Sequence, residues 1–262
     1  MSFKRLFAGA ALAVTSAACA ATLPPASETG IADTRTVLVS DTGREIPIRT
    51  LTPSVCEAAA CPLIIFSHGA FATYDRYDAL LEPLAERGFK IIAPNHVDSE
   101  EHPARDAYDR SDALPLRVED YQTIAAKTEA SATIALGHSF GALIAQMAGG
   151  AVSNSMDGTV NRVDPAYRPD LIIALSPPGP YLGMVPENWR PIERPMLVMT
   201  GTEDVIPTIA DDWQDHLVSF EEAPKSLAFA LIYKDIDHYL NGIYGRERPP
   251  ASPSEADLRT RT

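Results

Sequence analysis

Residues 135–142 read Ala-Leu-Gly-His-Ser-Phe-Gly-Ala, which puts Ser139 at the centre of a G-x-S-x-G pattern. An apolar run, residues 132–136, precedes the pattern, and helix-forming residues 143–148 follow it. This order is typical of a sharp turn from strand to helix, in which small neighbours allow a strained serine to project its hydroxyl group outward. The alternative is a Gly-Ser-Gly turn that only connects two elements.

Buried strands and helices alternate on both sides of this turn. Continuous apolar runs, which are typical of strands covered on both faces, occupy residues 63–66, 89–93, 171–175, 196–199 and 227–233. Helical spacing or helix-forming composition occurs over residues 74–87, 114–127 and 209–218. The alternation predicts an α/β fold, with a mostly parallel central sheet and helices on both faces.

Length and composition fit one exported domain. The chain has 262 residues, 45% of them hydrophobic, and a net charge of −13. Such an acidic chain is a poor candidate for binding nucleic acid or an anionic membrane, which require clustered Lys and Arg. We divide the chain into a signal peptide (1–20), a flexible leader (21–33), one α/β domain (34–245) and a polar C-terminal tail (246–262).

The first twenty residues carry the features of a secretory signal peptide. Lys4 and Arg5 precede a short apolar core at residues 6–18, and Ala-Cys-Ala at residues 18–20 matches a cleavage site. Cleavage would remove two positive charges and no negative ones, so the net charge would change from −13 to −15. Cys19 offers an alternative, in which acylation anchors the chain as a lipoprotein. The segment predicts an exported protein, either periplasmic or secreted.

Two further cysteines, Cys56 and Cys61, lie close together just before the first long apolar run. In an exported chain, such a pair can form a disulfide. The alternative is two reduced thiols. Export favours the disulfide.

Three residue types needed for nucleophilic catalysis follow the ends of separate predicted strands. Ser139 follows one strand, Asp204 a later one, and His238 the last. A serine hydroxyl needs a base with a pKa near 7, which histidine provides, and an acid can fix the tautomer of that histidine. We therefore predict Ser139, Asp204 and His238 as a catalytic triad, with Glu203 as a rival acid.

The same edge of the sheet offers donors for a developing oxyanion. The N–H of Phe140 opens the helix after the serine, and the N–H of Ala70 follows the His68-Gly69 pair at another strand end. We predict these two amides as the oxyanion hole, and His68 as a residue that shapes the loop.

The other polar residues receive structural interpretations. His216 lies in a predicted helix and is interpreted as a surface residue, and Asp237 as a solvated loop residue. The spacing of His96, Asp98 and His102 matches no metal-ligand pattern, so no metal site is predicted.

At these motifs the chain resembles the α/β-hydrolase superfamily, and most closely its branch of platelet-activating-factor acetylhydrolases, dienelactone hydrolases and cutinase-like polyester hydrolases. The resemblance rests on residues 66–69, 137–141, 175–179, 200–204 and 237–238. It implies an α/β-hydrolase fold and hydrolysis of carboxylic esters through an acyl-enzyme, without a cofactor. The tail is shorter and more polar than the final helix of the family, so this helix is expected to be reduced or missing.

The predicted substrate is a small neutral ester. Residues 181–189 follow a strand end and are rich in apolar side chains without a clear period, so Trp189 is expected to line the acyl pocket together with Phe71. Such walls favour short-to-medium neutral acyl groups over charged ones. The alternatives are that Trp189 packs into the core, that another acyl bond (lactone, thioester or amide) is cleaved, or that the fold serves as a non-catalytic binding module. The sequence leaves the oligomeric state open.

Overall fold

The computed structural model describes residues 30–56, 61–154 and 158–244. The predicted signal peptide, Cys19, residues 21–29 of the leader and the tail 246–262 lie outside the described residues. No helix among the described residues is long and apolar enough to span a membrane.

An eight-stranded sheet forms the centre of the molecule. Its strands are β1 (Ile31–Val39), β2 (Glu45–Pro53), β3 (Leu63–Ser67), β4 (Lys90–Pro94), β5 (Thr133–His138), β8 (Leu171–Leu175), β9 (Met196–Glu203) and β10 (Ala228–Asp237), while β6 (Ser153–Asn154) and β7 (Val160–Asn161) pair separately. The strands lie in the sheet in the order β1-β2-β4-β3-β5-β8-β9-β10. From β4 to β10 neighbouring strands are parallel, whereas β2 runs antiparallel to both β1 and β4. The predicted mostly parallel sheet is therefore confirmed.

Helices cover both faces of the sheet. They are α1 (Asp78–Glu86), α2 (Ala113–Lys127), α3 (Phe140–Ala148) and α4 (Val218–Glu222). Short 3₁₀ helices join them at Tyr74–Tyr77, Arg105–Ala107, Arg110–Asp112, Pro165–Tyr167, Pro186–Trp189, Trp213–Leu217 and Leu240–Gly242.

Strand β3 explains why the apolar runs are continuous. Leu63 and Ile65 belong to the core cluster with α2 and α3, whereas Ile64 and Phe66 belong to the cluster with α1. Successive side chains of a strand point to opposite faces, so a strand covered on both faces needs apolar residues at every position.

Several predicted boundaries differ from the structure. Strand β1 begins at Ile31, within the predicted leader and three residues before the predicted start of the domain. The connection between the helix that ends at Ala148 and the strand that begins at Leu171 contains a small hairpin of β6 (Ser153–Asn154) and β7 (Val160–Asn161). The helix predicted over 209–218 is wrong: a bridge joins Ile206 to Ala210, and helical structure begins only at Trp213.

The predicted disulfide joins Cys56 and Cys61, whose Cα atoms are 5.5 Å apart. Cys56 lies after β2 and Cys61 just before β3, so the bridge closes the connection between two strands that lie on either side of β4 in the sheet.

Candidate active site

The carboxyl ends of the parallel strands bring the predicted catalytic residues to one edge of the sheet. Ser139 follows β5, Asp204 follows β9, and His238 follows β10. The loop that carries Ala70 follows β3, which pairs directly with β5. Parallel strands end at the same edge, and this is where ligand sites of open α/β sheets form.

Ser139 lies at a strained turn between β5 and α3. Its φ of 54° and ψ of −120° fall in a region that residues with a side chain rarely occupy. The flanking glycines make the turn sterically feasible: a Cβ on Gly137 would overlap the backbone of Gly141, and a Cβ on Gly141 would overlap the carbonyl of Ser67. The packing around the turn therefore holds the serine in this conformation.

His238 and Asp204 form a buried hydrogen-bonded pair. His238 Nδ1 donates to Asp204 Oδ1 at 2.8 Å, and Thr200 Oγ1 donates to Asp204 Oδ2 at 2.7 Å. Burial alone would raise the pKa of Asp204, but its contacts with His216 and His238 hold that pKa below its usual range. A carboxylate that accepts from Nδ1–H leaves Nε2 of His238 free to accept a proton.

The hydroxyl of Ser139 is half-buried and makes no hydrogen bond within the described residues. The structure thus brings Asp204 and His238 into contact and leaves the Ser139–His238 hydrogen bond unformed. Such hydrogen bonds often tighten only when substrate is bound.

A chain of hydrogen bonds connects the turn to the loop after β3. Gly69 N–H donates to the hydroxyl of Tyr77 at 2.9 Å, and that hydroxyl is 2.8 Å from Nδ1 of His138. His138 Nε2 donates to the carbonyl of His238 at 2.8 Å. Because this carbonyl can only accept, the neutral ring is protonated at Nε2 and accepts from Tyr77 at Nδ1. Burial lowers the pKa of His138, which keeps the ring neutral.

Arg117, on α2, holds the loop after β3 from inside the molecule. Its fully buried guanidinium donates to the carbonyl oxygens of His68 at 2.6 Å and Gly69 at 3.2 Å. Asp98 accepts two further hydrogen bonds from it, each of 2.8 Å. The carbonyl and the N–H of a trans peptide point in opposite directions, so fixing the Gly69 carbonyl inward directs the Ala70 N–H outward.

Among the described residues, the N–H groups of Gly69 and Phe71 in the loop after β3 have acceptors, whereas the N–H of Ala70 is free to bind a ligand. Phe71 N–H donates to Asp98 Oδ2 at 3.2 Å, and Gly69 N–H is taken by Tyr77. Within the described ranges, no acceptor is assigned to the N–H of Ala70, and Phe140 opens α3, where no intrahelical acceptor exists for its N–H. Both residues line the same cavity as Ser139.

Both ring nitrogens of His96 lie at hydrogen-bond distance from protein side chains. His96 lies between Ser67 Oγ, 2.7 Å from its Nε2, and Asp120 Oδ2, 2.6 Å from its Nδ1. Asp98 is bound to Arg117. These groups form a buried polar network under the loop, in which burial lowers the pKa of His96 and raises that of Asp120 to about 6.

One cluster among the described residues could place three ligand atoms around a metal ion: Asp204, His216 and His238, within 4.8 Å of one another. Both imidazoles, however, approach Asp204 Oδ1 to 2.8 Å. This is a hydrogen-bond distance, whereas two ligands of a tetrahedral Zn²⁺ lie roughly 3.3 Å apart. The cluster fits proton-mediated contacts better than a metal centre.

A cavity of about 230 Å³ opens at Ser139. Apolar and aromatic side chains make up most of its wall: Phe71, Phe140, Pro178, Tyr181, Leu182 and Ile209. Its charged groups are Asp98, neutralised by Arg117, and the exposed Arg110, whose guanidinium lies 5.7 Å from the centre of the Phe71 ring. A neighbouring cleft of about 300 Å³ extends past Phe71 along residues 105–110.

Trp189 does not line this cavity, which corrects its assignment to the pocket wall. Its side chain is fully buried in the core, and its indole N–H donates to Gln146 Oε1 at 2.8 Å. A buried indole needs such an acceptor, and here α3 supplies it. Tyr181 and Leu182, from the same predicted segment, are the side chains that reach the cavity.

The interpretation of His216 as a surface residue is also wrong. The 3₁₀ helix Trp213–Leu217 turns this side chain inward, where it is fully buried beside Asp204. Glu203, the rival to Asp204 as the acid, is exposed. Asp237 caps the turn after β10 by accepting hydrogen bonds from the N–H groups of Tyr239 and Asn241. Sequence reasoning missed Arg117 and Tyr77 because their partners lie far away in sequence.

Comparisons with known proteins agree with this architecture. The sequence model of the alpha/beta hydrolase family matches residues 64–239. Similar solved structures include a protein from Klebsiella pneumoniae described as a dienelactone hydrolase, with 16% sequence identity and a TM-score of 0.63 over 88% of this chain and 96% of that one. A thermophilic esterase from Thermogutta terrifontis has 14% identity and a TM-score of 0.58, over 87% of this chain and 90% of that one. An esterase from Pyrococcus furiosus has 11% identity and a TM-score of 0.60, over 88% of this chain and 90% of that one. No curated protein sequence matches the chain significantly. At these identities the structural likeness establishes the fold alone.

Proposed function

The chain belongs to the alpha/beta hydrolase family, and from this premise we propose that it hydrolyses carboxylic esters through an acyl-enzyme formed on Ser139. The observation that carries the proposal is the buried His238–Asp204 hydrogen bond, at the sheet edge where the strained turn presents Ser139 to the cavity. A histidine held in this way by a carboxylate is the base that a serine nucleophile needs.

In the proposed reaction, Ser139 Oγ attacks the ester carbonyl while its proton passes to Nε2 of His238. Asp204 keeps Nδ1 protonated and stabilises the imidazolium that forms. The N–H groups of Ala70 and Phe140 stabilise the negative oxygen of the tetrahedral intermediate. His238 then protonates the leaving alcohol, and water, activated by the same histidine, releases the acid from Ser139.

The cavity supports a preference for small neutral acyl groups. Its volume of about 230 Å³ is smaller than that of pockets which hold drug-sized ligands, roughly 300–1,000 Å³. Its wall is mostly apolar, and a buried unpaired carboxylate would be costly there. The exposed Arg110 is the charged group that could reverse this preference, so a neutral ester and a singly charged ester of the same length are the substrates to compare.

The test is the value of kcat/KM for p-nitrophenyl esters from acetate to hexanoate, together with a lactone, a thioester and an amide. We expect hydrolysis of the esters and a loss on the order of 10⁶-fold in kcat for Ser139→Ala. Faster turnover of the lactone, thioester or amide would replace the ester proposal with that substrate class. Unchanged ester turnover in Ser139→Ala would contradict the mechanism.

A matched pair of variants tests the acyl pocket. Leu182 lines the cavity, whereas Val185, three residues on, is exposed and lies outside it. We expect Leu182→Ala to shift the preferred acyl length upward because it enlarges the cavity, and Val185→Ala to leave the profile unchanged. Identical profiles for both variants and the wild type would remove this segment from the acyl site.

We further propose that the protein is exported. The signal-like residues 1–20 and the Cys56–Cys61 disulfide support this, because disulfides persist in oxidising compartments. Fractionation of expressing cells, with mass measurement of the mature N-terminus, tests export and separates cleavage after residue 20 from acylation at Cys19. Full-length protein confined to the cytoplasm would contradict the proposal.

A further inference from the structure

Asp204 interacts with two histidines through the same carboxylate oxygen. Nδ1 of His238 and Nε2 of His216 each lie 2.8 Å from Oδ1. The side chains of Asp204 and His216 are fully buried, and that of His238 is nearly so. The mechanism above uses only the contact with His238, so the contact with His216 needs its own explanation.

The other ring nitrogen of His216 determines which protons the ring must carry. Nδ1 lies 2.6 Å from the carbonyl oxygen of Pro177, and since this oxygen can only accept, Nδ1 carries a proton. A neutral imidazole has one N–H, so a neutral His216 would turn the bare lone pair of Nε2 toward a carboxylate oxygen. Two acceptors this close in a buried site repel each other.

A doubly protonated ring removes this conflict. Nε2–H then forms an ion pair with Asp204, although the angle is too poor for a well-directed hydrogen bond. Burial alone lowers the pKa of His216, but the Asp204 carboxylate and the Pro177 carbonyl together raise it above its ordinary value. Geometry and electrostatics therefore agree on the charged form.

We propose that His216 is an imidazolium at neutral pH and acts as a positioning residue, which fixes the Asp204 carboxylate for His238 and balances its negative charge. The proposal deepens the proposed function and rests on it wherever a reaction rate is concerned. The protonation state of His216 can be measured independently of any reaction.

The pH dependence of His216 depends on the titratable groups that lie around its ring. They are Asp204 at the end of β9, His238 after β10, and His138 in β5, with Tyr244 near Asp204. Burial lowers the pKa of His138 and raises that of Tyr244, so both are neutral around pH 7. Asp204 and His216 are thus the charged members beside His238.

One effect on the rate follows. The positive charge of His216 offsets the buried negative charge of Asp204 and holds its carboxylate in place for His238. When His216 loses its proton in alkaline solution, Nε2 no longer attracts Oδ1, and the carboxylate is no longer held for His238. The profile of kcat/KM against pH should therefore fall in alkaline solution.

Nitrogen NMR of the histidine rings in the full chain tests the charge directly. His216 is assigned by the signal that disappears in His216→Gln. At pH 7 we expect both ring nitrogens of His216 to be protonated, and one of them to lose its proton only at higher pH. A single protonated nitrogen at pH 7, which is the neutral ring, would overturn the proposal. If that variant does not fold, through-space contacts with Pro177 and with the His238 ring identify the His216 signal in the wild type, so the measurement still decides the question.

The pH profile tests the positioning role. His216→Gln retains an N–H donor but cannot titrate, so we expect the alkaline fall to disappear and kcat to decrease roughly 10- to 100-fold, the range known for groups that orient a metal-ligating histidine or carboxylate. The control is His102→Gln, since His102 is buried away from Asp204 and His238. Its profile should match the wild type.

The outcomes separate the two proposals. An alkaline fall that persists in a folded His216→Gln variant would contradict the positioning role. A charged His216 in a protein that hydrolyses no acyl substrate would sustain the ion pair and refute the proposed function. A neutral His216 in an active esterase would do the reverse.

Discussion

The identity of the catalytic acid is decided by one residue position. Glu203 is exposed, whereas Asp204 is fully buried and bonded to His238. Asp204→Asn should therefore lower kcat by about 10⁴-fold, because an amide cannot fix the histidine tautomer or balance its charge. Glu203→Gln is the matched control and should change kcat less than about twofold, since exposed charges contribute little. Steady-state kinetics that rank the two variants in the opposite order would make Glu203 the acid.

Arg117 should act through the loop that it holds. Arg117→Lys keeps the charge but loses the planar fork that binds the carbonyls of His68 and Gly69 and the carboxylate of Asp98. If the Ala70 N–H is consequently misdirected, kcat should fall by about 10²- to 10³-fold, which is the effect of losing one oxyanion donor, with little change in KM or in the pH profile.

The control for this prediction is Arg44→Lys. The side chain of Arg44 is also largely covered within the polar network, but it contacts Glu119 and Asp120 rather than the loop. Circular dichroism should show that both variants fold. Equal kcat values for the Arg117 and Arg44 variants would remove Arg117 from the positioning of the oxyanion hole.

The sequence predicts residues whose role follows from a strand end, and misses those whose partners are distant. Ser139, Asp204 and His238 each follow an apolar run, so their placement at one edge of the sheet could be expected from the fold class alone. His216 was misplaced because a helical period does not describe the 3₁₀ helix Trp213–Leu217, which turns the ring inward. The burial of Trp189 depends on Gln146, 43 residues away, and no local pattern indicates that pairing.

At the scale of elements, the turn between β5 and α3 depends on the absence of two side chains. Gly141→Ala would place a Cβ against the carbonyl of Ser67, backbone that cannot move without shifting β3. We expect a loss of about 3 kcal/mol or more in the free energy of unfolding, at the upper end of overpacking effects. Urea denaturation measures it.

Gly30→Ala is the control, because nothing lies within 4 Å of a Cβ at Gly30 and its backbone is not in the left-handed region. Its unfolding midpoint should equal that of the wild type. A Gly141→Ala variant of wild-type stability would show that β3 and α3 can move apart, and the strained turn would then not be held by packing.

Continuous apolar runs predict the parallel strands correctly because helices cover both faces of the sheet. Every side chain of such a strand is buried, so apolar and polar residues need not alternate along it. The polar stretch from Asn95 to Asp112 could not be interpreted in this way. It contains buried side chains, His96 and Asp98, whose charges and hydrogen bonds are satisfied by Asp120 and Arg117 on the later helix α2. Local composition shows only that the stretch is polar, because the partners of its buried groups belong to a helix that begins after it ends.

At the scale of the whole molecule, the disulfide should contribute modestly to stability. The Cys56–Cys61 bridge closes a loop of six residues. Loop-closure entropy gives about 2 kcal/mol for so short a loop. Reduction, or the double change Cys56→Ser and Cys61→Ser, should lower the free energy of unfolding by about this amount and leave kcat unchanged, because the bridge lies before β3 and away from the site.

Mass measurement under non-reducing conditions provides the check, since the bridged chain lacks two hydrogens and takes up no alkylating reagent. Two alkylated thiols in the exported protein would show that the bridge does not form there.

The most direct test of the account is labelling with a fluorophosphonate, which reacts fastest with a serine activated as a nucleophile, followed by peptide mapping. We predict one adduct, on Ser139, formed in the wild type and slowed by a hydrolysable ester. Ser139→Ala should remain folded and unlabelled. An adduct on another residue, or labelling that persists in Ser139→Ala, would contradict the central claim that Ser139 is the nucleophile of a serine hydrolase.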